Sequence, residues 1–104
     1  MRYHISWTER PHATTAAYNE ARVLHAKVWE LWKAPENLKF HFLVARVGSW
    51  DGYALVETED ISIYQEIASS YPSLSFRIEP VIDVNDSSIF EERGMAIFAK
   101  ATEQ

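Results

Sequence analysis

The sequence predicts an α+β fold in which strand, helix, strand, strand, helix and strand follow one another, the split βαβ order of a ferredoxin-like domain, with an extra C-terminal helix. Three observations carry this reading. Apolar and polar residues alternate near both ends of the core stretch, apolar residues recur at steps of three and four in two intervening segments, and two central stretches are apolar on both faces.

Arg2 to Thr8 places Tyr3, Ile5 and Trp7 on one face and His4, Ser6 and Thr8 on the other, the pattern of a half-buried strand. Beyond Pro11, with Thr14 or Thr15 available as a cap, Ala17, Ala21, Leu24, Val28 and Leu31 form the stripe of a long helix that ends before Pro35. Tyr18, His25, Trp29 and Trp32 make a second stripe on an adjoining flank, so this helix is expected to meet more than one packing partner. Lys39 to Val47 opposes Phe40, Phe42 and Val44 to Leu43, Ala45 and Val47, and Tyr53 to Thr58 is also apolar on both sides. Gly48 to Gly52 joins the two as a hairpin turn. Thr58 or Asp60 caps a short helix carrying Tyr64, Ile67, Ala68 and Tyr71, which Pro72 stops. Leu74 to Ile82 alternates again, with Leu74, Phe76 and Ile78 against Ser75, Arg77 and Glu79. Ser88 and Glu91 have capping-box spacing for a helix over 86–101 that follows a core over 2–84.

At 104 residues the chain is expected to be one domain spanning 1–104, too short for a multidomain enzyme. Its formal charge of −5 makes it a poor partner for nucleic acid. No stretch is long and apolar enough to span a membrane, and the first residues have no signal-peptide pattern, so a cytoplasmic location is expected. The absence of cysteine removes disulfides, thiolate nucleophiles and cysteine metal sites.

In the predicted topology two helices cover one face of the sheet and leave the other bare. Middle strands apolar on both sides would then expose more grease than a soluble monomer tolerates, and a second copy is the simplest lid. The expectation is a homodimer paired sheet to sheet around an enclosed interior.

Tyr3-His4-Ile5-Ser6-Trp7-Thr8, Gly52-Tyr53-Ala54-Leu55-Val56-Glu57 with the acidic residues after it, and Ser73-Leu74-Ser75-Phe76 leading into Glu79-Pro80-Val81-Ile82-Asp83 resemble domain-of-unknown-function family thirty-three-zero-three. The resemblance spans residues 2 to about 84 and implies the dimeric α+β barrel superfamily, without assigning a reaction. One departure stands out: the family pattern follows the arginine matching Arg46 with Trp-His, where this chain has Val47-Gly48, and Trp50 in the turn is the nearest replacement.

Antiparallel pairing of the first and fourth strands would gather His4, Ser6, Arg77 and Glu79 on the open face. In an enclosed site His4 would shuttle a proton or donate a hydrogen bond, and Arg77 would hold an anionic or carbonyl group. The simpler reading is an interface ion pair of Arg77 with Glu79 or Glu57. The ligand-binding candidates are therefore His4, Ser6, His41, Trp50, Tyr53, Glu57, Arg77 and Glu79, with His4 and Arg77 the catalytic candidates. Histidines 4, 12, 25 and 41 lack metal-ligand spacing, so no metal is expected; His41 on an edge strand could approach a partner chain. The aromatic residues Tyr18, Trp29, Trp32, Trp7, Phe40, Phe42, Trp50 and Tyr53 would suit a flat hydrophobic ligand or haem, but at helical and strand spacing they read first as core or interface, and no cofactor is expected. No glycine-rich phosphate loop or nucleophile elbow is present, and the acidic pairs read as caps and solvated faces.

The functional expectation is a homodimer binding a small apolar or aromatic ligand in a cavity at the open sheet face. Two alternatives stand beside it: a cofactor-free monooxygenase or isomerase, as similar dimeric barrels imply, and a structural or regulatory interaction module that uses Trp50, Trp29 and Trp32 as its contact surface.

Overall fold

The computed structural model describes residues 1–103. Its elements are β1 (Arg2–Glu9), α1 (Thr15–Leu31), β2 (Lys39–Ala45), β3 (Gly52–Glu57), α2 (Ser62–Ser70), β4 (Leu74–Val81) and α3 (Val84–Thr102). The four strands form one antiparallel sheet in the order β2-β3-β1-β4, which is the predicted ferredoxin-like topology.

Register follows from the alternation in β1. Ile5 pairs with Ala54 on one side and Ile78 on the other, so these residues share the helix-covered face, while His4 and Ser6 share the open one. The packed core lies under α2: Ile5, Leu38, Ala54, Val56, Ile63 and Tyr64 are buried, and Tyr3 meets the Tyr64 ring edge-on at 5.0 Å. Burial of this kind is the main stabilising term in a domain so small.

Three local expectations need correction. In β2 an irregularity between Phe40 and Phe42 flips the alternation: Phe40 pairs with Val56 on the covered face, whereas Phe42 pairs with Leu55 on the open face. Phe40, Phe42 and Val44 therefore do not share a side. In α1 the buried seam runs between the two predicted stripes. His25 is buried and Ala21, Val28 and Trp32 are half-buried, but Leu24 and Leu31 stay 52% and 78% exposed. At the last helix no capping box forms, because the helix begins earlier, at Val84; Ser88 Oγ instead donates to the Val84 carbonyl, and Glu91 accepts from Ser87 Oγ.

Helix starts elsewhere have clear causes. Thr14 is extended, and its Oγ1 accepts from the Ala17 amide at 3.0 Å. Ahead of α2, Thr58 Oγ1 accepts from the Asp60 amide and Asp60 Oδ1 from the Ser62 amide, so both predicted caps shape the turn while Ile61 occupies the cap position itself.

The last helix stands apart from the rest. Every described residue from Ser88 onward is exposed, including Phe90, Ile97 and Phe98. A 2.7 Å ion pair between Arg2 and Asp83 fixes its root and holds the Asp83 carboxyl below its ordinary range. This arm stretches the chain to 64 × 33 × 23 Å with a radius of gyration of 18.9 Å. A closed domain of this length would have a radius of about 13 Å. Among the described residues no helix is long and apolar enough to cross a membrane.

Candidate functional site

Two regions gather chemistry-bearing side chains, one on each side of the sheet. On the open face, strand register lines up Tyr53, Ser6 and Arg77 across β3, β1 and β4, with Leu55, His4 and Glu79 in the next row. The His4 ring stacks on Tyr53 with centroids 6.0 Å apart. Arg77 Nε donates to Glu79 Oε1 at 2.7 Å, so Glu79 rather than Glu57 is its partner. Glu57 instead accepts from His41 Nε2 at 3.0 Å, a bond that holds its carboxyl below the ordinary range. His4, Ser6, Tyr53, Arg77 and Glu79 are thus brought together, and His41 with Glu57 forms a separate pair between β2 and β3. Beside them lies an apolar strip, with Phe42 41%, Val44 42% and Tyr53 48% exposed. Among the described residues no three His, Asp or Glu converge as a metal's ligand set.

Trp50 is elsewhere, at the helix-covered side. Beyond β2, Arg46 donates its amide to the Asp51 carbonyl, and Gly48 turns the chain at φ +86°, the left-handed region that glycine enters without strain. Side chains and backbone then clamp this turn to β1. Trp7 Nε1 donates to the Trp50 carbonyl at 2.8 Å, Glu9 Oε1 accepts from the Trp50 amide at 3.1 Å, and Asp51 Oδ1 accepts from the Glu9 amide at 2.8 Å. Gly52 lets Trp7 lie flat there, since a Cβ on it would strike the Trp7 ring and the Val44 carbonyl.

The clamp holds the Trp50 indole against α1, where the Arg22 guanidinium lies 4.5 Å from the ring centroid and His25 packs at 6.0 Å. Between α1 and the sheet a cavity of about 700 Å³ remains. Ile5, Ala54 and Phe76 floor it, Trp7, Trp50 and Tyr71 wall it, and His25, Ala26, Trp29 and Trp32 roof it, with Arg22 and Glu30 contributing from the exposed side of α1. Its volume lies inside the range of small-molecule sites, about 300–1,000 Å³. This half-open space lies on the helix-covered side of the sheet, across from the face where a cavity between two subunits is expected, and of the aromatic residues singled out in the sequence Trp7, Trp29, Trp32, Phe40 and Trp50 line it.

His25 and Tyr71 are the residues that the sequence did not single out. Their rings meet edge to face at 5.5 Å, and both line the cavity. His25 is only 7% exposed, and this desolvation, partly offset by Glu9, lowers its pKa; burial raises that of Tyr71. The one signal in the sequence is an imidazole set within the aromatic flank of α1, seven residues after Tyr18 and four before Trp29.

A model of the family described as Domain of unknown function (DUF3303) matches residues 1–94. The chain belongs to this family. None of the curated proteins matches it. Among solved structures, the crystal structure of muconolactone isomerase at 3.3 Å resolution is similar with a TM-score of 0.55 and 10% identity, over 80% of this chain and 90% of that one. At that identity the likeness concerns the fold, and it agrees with the α+β barrel type of subunit.

Proposed function

We propose that this member of the family is a homodimer that binds a small, flat, apolar or aromatic molecule, one per chain, in the cavity between α1 and the sheet. The carrying observation is the cavity itself: about 700 Å³ lined by four tryptophans, with few polar groups. A folded chain that needed only stability would have closed such a space, because unfilled apolar volume is destabilising. The tryptophans offer broad rings at small loss of side-chain freedom, which favours a planar guest.

Pairing is supported by the other side of the sheet. Phe42, Val44, Leu55 and Tyr53 form a contiguous apolar strip, with the charged groups of β1 and β4 beside it. We assign His4, Ser6, Arg77 and Glu79 to this interface, with His41 and Glu57 at its edge. An interface of the obligate kind buries upward of about 2,000 Å².

The test is a titration with N-phenyl-1-naphthylamine, a neutral probe that brightens in apolar surroundings. Saturable binding with one probe per chain is expected, and Ala26→Trp, an exposed position on the cavity roof, is expected to abolish it while the fold persists. Binding that Ala26→Trp leaves untouched would refute the assignment of the site.

A further inference from the structure

The cavity between α1 and the sheet is walled by aromatic and aliphatic side chains, and α1 adds two exposed charged residues to its lining, Arg22 and Glu30. Arg22 is the one lining residue that carries a positive charge at neutral pH, because burial lowers the pKa of His25.

The Arg22 guanidinium is held from two elements. It lies 4.5 Å from the Trp50 ring centroid and 5.5 Å from that of Tyr18, one turn earlier on α1. Trp50 is itself fixed by the hydrogen bonds of its turn to Trp7 and Glu9. Contact with ring faces leaves the N–H fork of an arginine free for a planar acceptor with two oxygens. Arg2, Arg46 and Arg77 direct theirs to Asp83, Asp51 and Glu79, whereas among the described residues no carboxylate lies within ion-pair distance of Arg22. Glu9, which accepts from the Trp50 amide, does not line the cavity.

We infer that the guest is an aromatic carboxylate, whose flat ring system enters among the tryptophans while its carboxylate stays at the mouth against Arg22. This inference rests on the cavity being the binding site. Solvation sets the division, since an apolar interior rejects a charge, whereas a carboxylate beside the exposed Arg22 keeps water on one side. Two rings already hold the cation in place, so little side-chain freedom is lost when the pair forms. Glu30 is a weaker anchor for a cationic guest. It stands two turns further along α1, about 12 Å away, and Lys27 one turn before it offsets its charge.

2-Naphthoate, 2-naphthamide and 2-naphthylmethylammonium share one ring system and differ in charge, so they separate this inference from the one beneath it. By calorimetric or fluorescence titration, the wild-type chain is expected to bind 2-naphthoate about fivefold more tightly than the neutral amide, the scale of a partly exposed ion pair, and the ammonium probe most weakly. Arg22→Gln is expected to bring naphthoate and amide to within about twofold of each other, with the amide affinity kept, and Arg22→Lys to restore part of the preference. Equal wild-type affinities for naphthoate and amide, a preference for the ammonium probe, or a naphthoate preference that survives in Arg22→Gln would overturn the carboxylate anchor and leave the cavity assignment standing. A loss shared equally by naphthoate and amide in Arg22→Gln would overturn it too, for the arginine would then only brace Trp50. Binding of none of the three probes would overturn both readings.

Discussion

His25 illustrates how one buried side chain ties pH to stability. Its folded pKa lies below the ordinary value, mainly through desolvation, with Glu9 opposing the shift and His12 adding to it. Below about pH 6.5 the unfolded chain therefore takes up a proton that the folded chain resists. The protein is expected to lose stability as pH falls from 7.5 toward 5, and His25→Leu should flatten that slope when melting temperatures are compared across the range. An unchanged slope would mean that other groups set the acid response. Tyr64 offers a second test of the same physics, for burial pushes its hydroxyl pKa to about 12 and leaves it unpartnered. Tyr64→Phe is expected to be neutral or stabilising by up to about 1 kcal/mol in denaturant melts, and a clear loss would reveal a partner for that hydroxyl. Gly52 works by what it lacks. Gly52→Ala would drive a methyl into the Trp7 ring and the β2 backbone, with an expected loss of about 1–3 kcal/mol and weaker probe binding as Trp7 shifts.

At the scale of elements, α3 is the clearest object of experiment. It is a 19-residue helix none of whose residues is buried, tied to the sheet at its root by Arg2 and Asp83. Deleting 84–104 is expected to leave the four-stranded sheet and both other helices folded, with circular dichroism losing one helix and no strand signal. Loss of all cooperative unfolding would show that α3 is needed for the subunit itself. The sheet was largely legible in the sequence because alternation in β1 and β4 is unbroken, and one register then fixes which side each residue faces. The parity of β2 was not, because a run apolar on both sides carries no phase, and the irregularity between Phe40 and Phe42 changes it midway. In α1 two apolar stripes compete, and only the position of the sheet decides that the seam falls at His25 rather than at Leu24 and Leu31. Nothing in local spacing records how far a helix stands from its sheet, which is why the place of the cavity and its His25–Tyr71 wall escaped the sequence reading while the tryptophans that line it, Trp7, Trp29, Trp32 and Trp50, did not.

For the whole molecule, the proposed function divides the work between the two faces of the sheet. The open face, which carries Phe42, Val44 and Tyr53, each more than two-fifths exposed in the single chain, would serve association, and the covered face, which carries the cavity, would serve binding. Sedimentation is expected to report a dimer at micromolar concentration, and Phe42→Glu, which plants a charge in the apolar strip, is expected to yield a folded monomer. A monomeric wild type would contradict the role assigned to the open face. The division also predicts that His4→Ala and Arg77→Ala weaken the dimer more than they weaken probe binding, since both residues lie across the sheet from the cavity. The measurement that bears most directly on the account is an isotope-filtered NOE spectrum of the chain with 2-naphthoate. Contacts from the guest's ring protons to Trp7, Trp50 and Tyr71 are predicted, and contacts to Phe42 and Tyr53 in their place would contradict it.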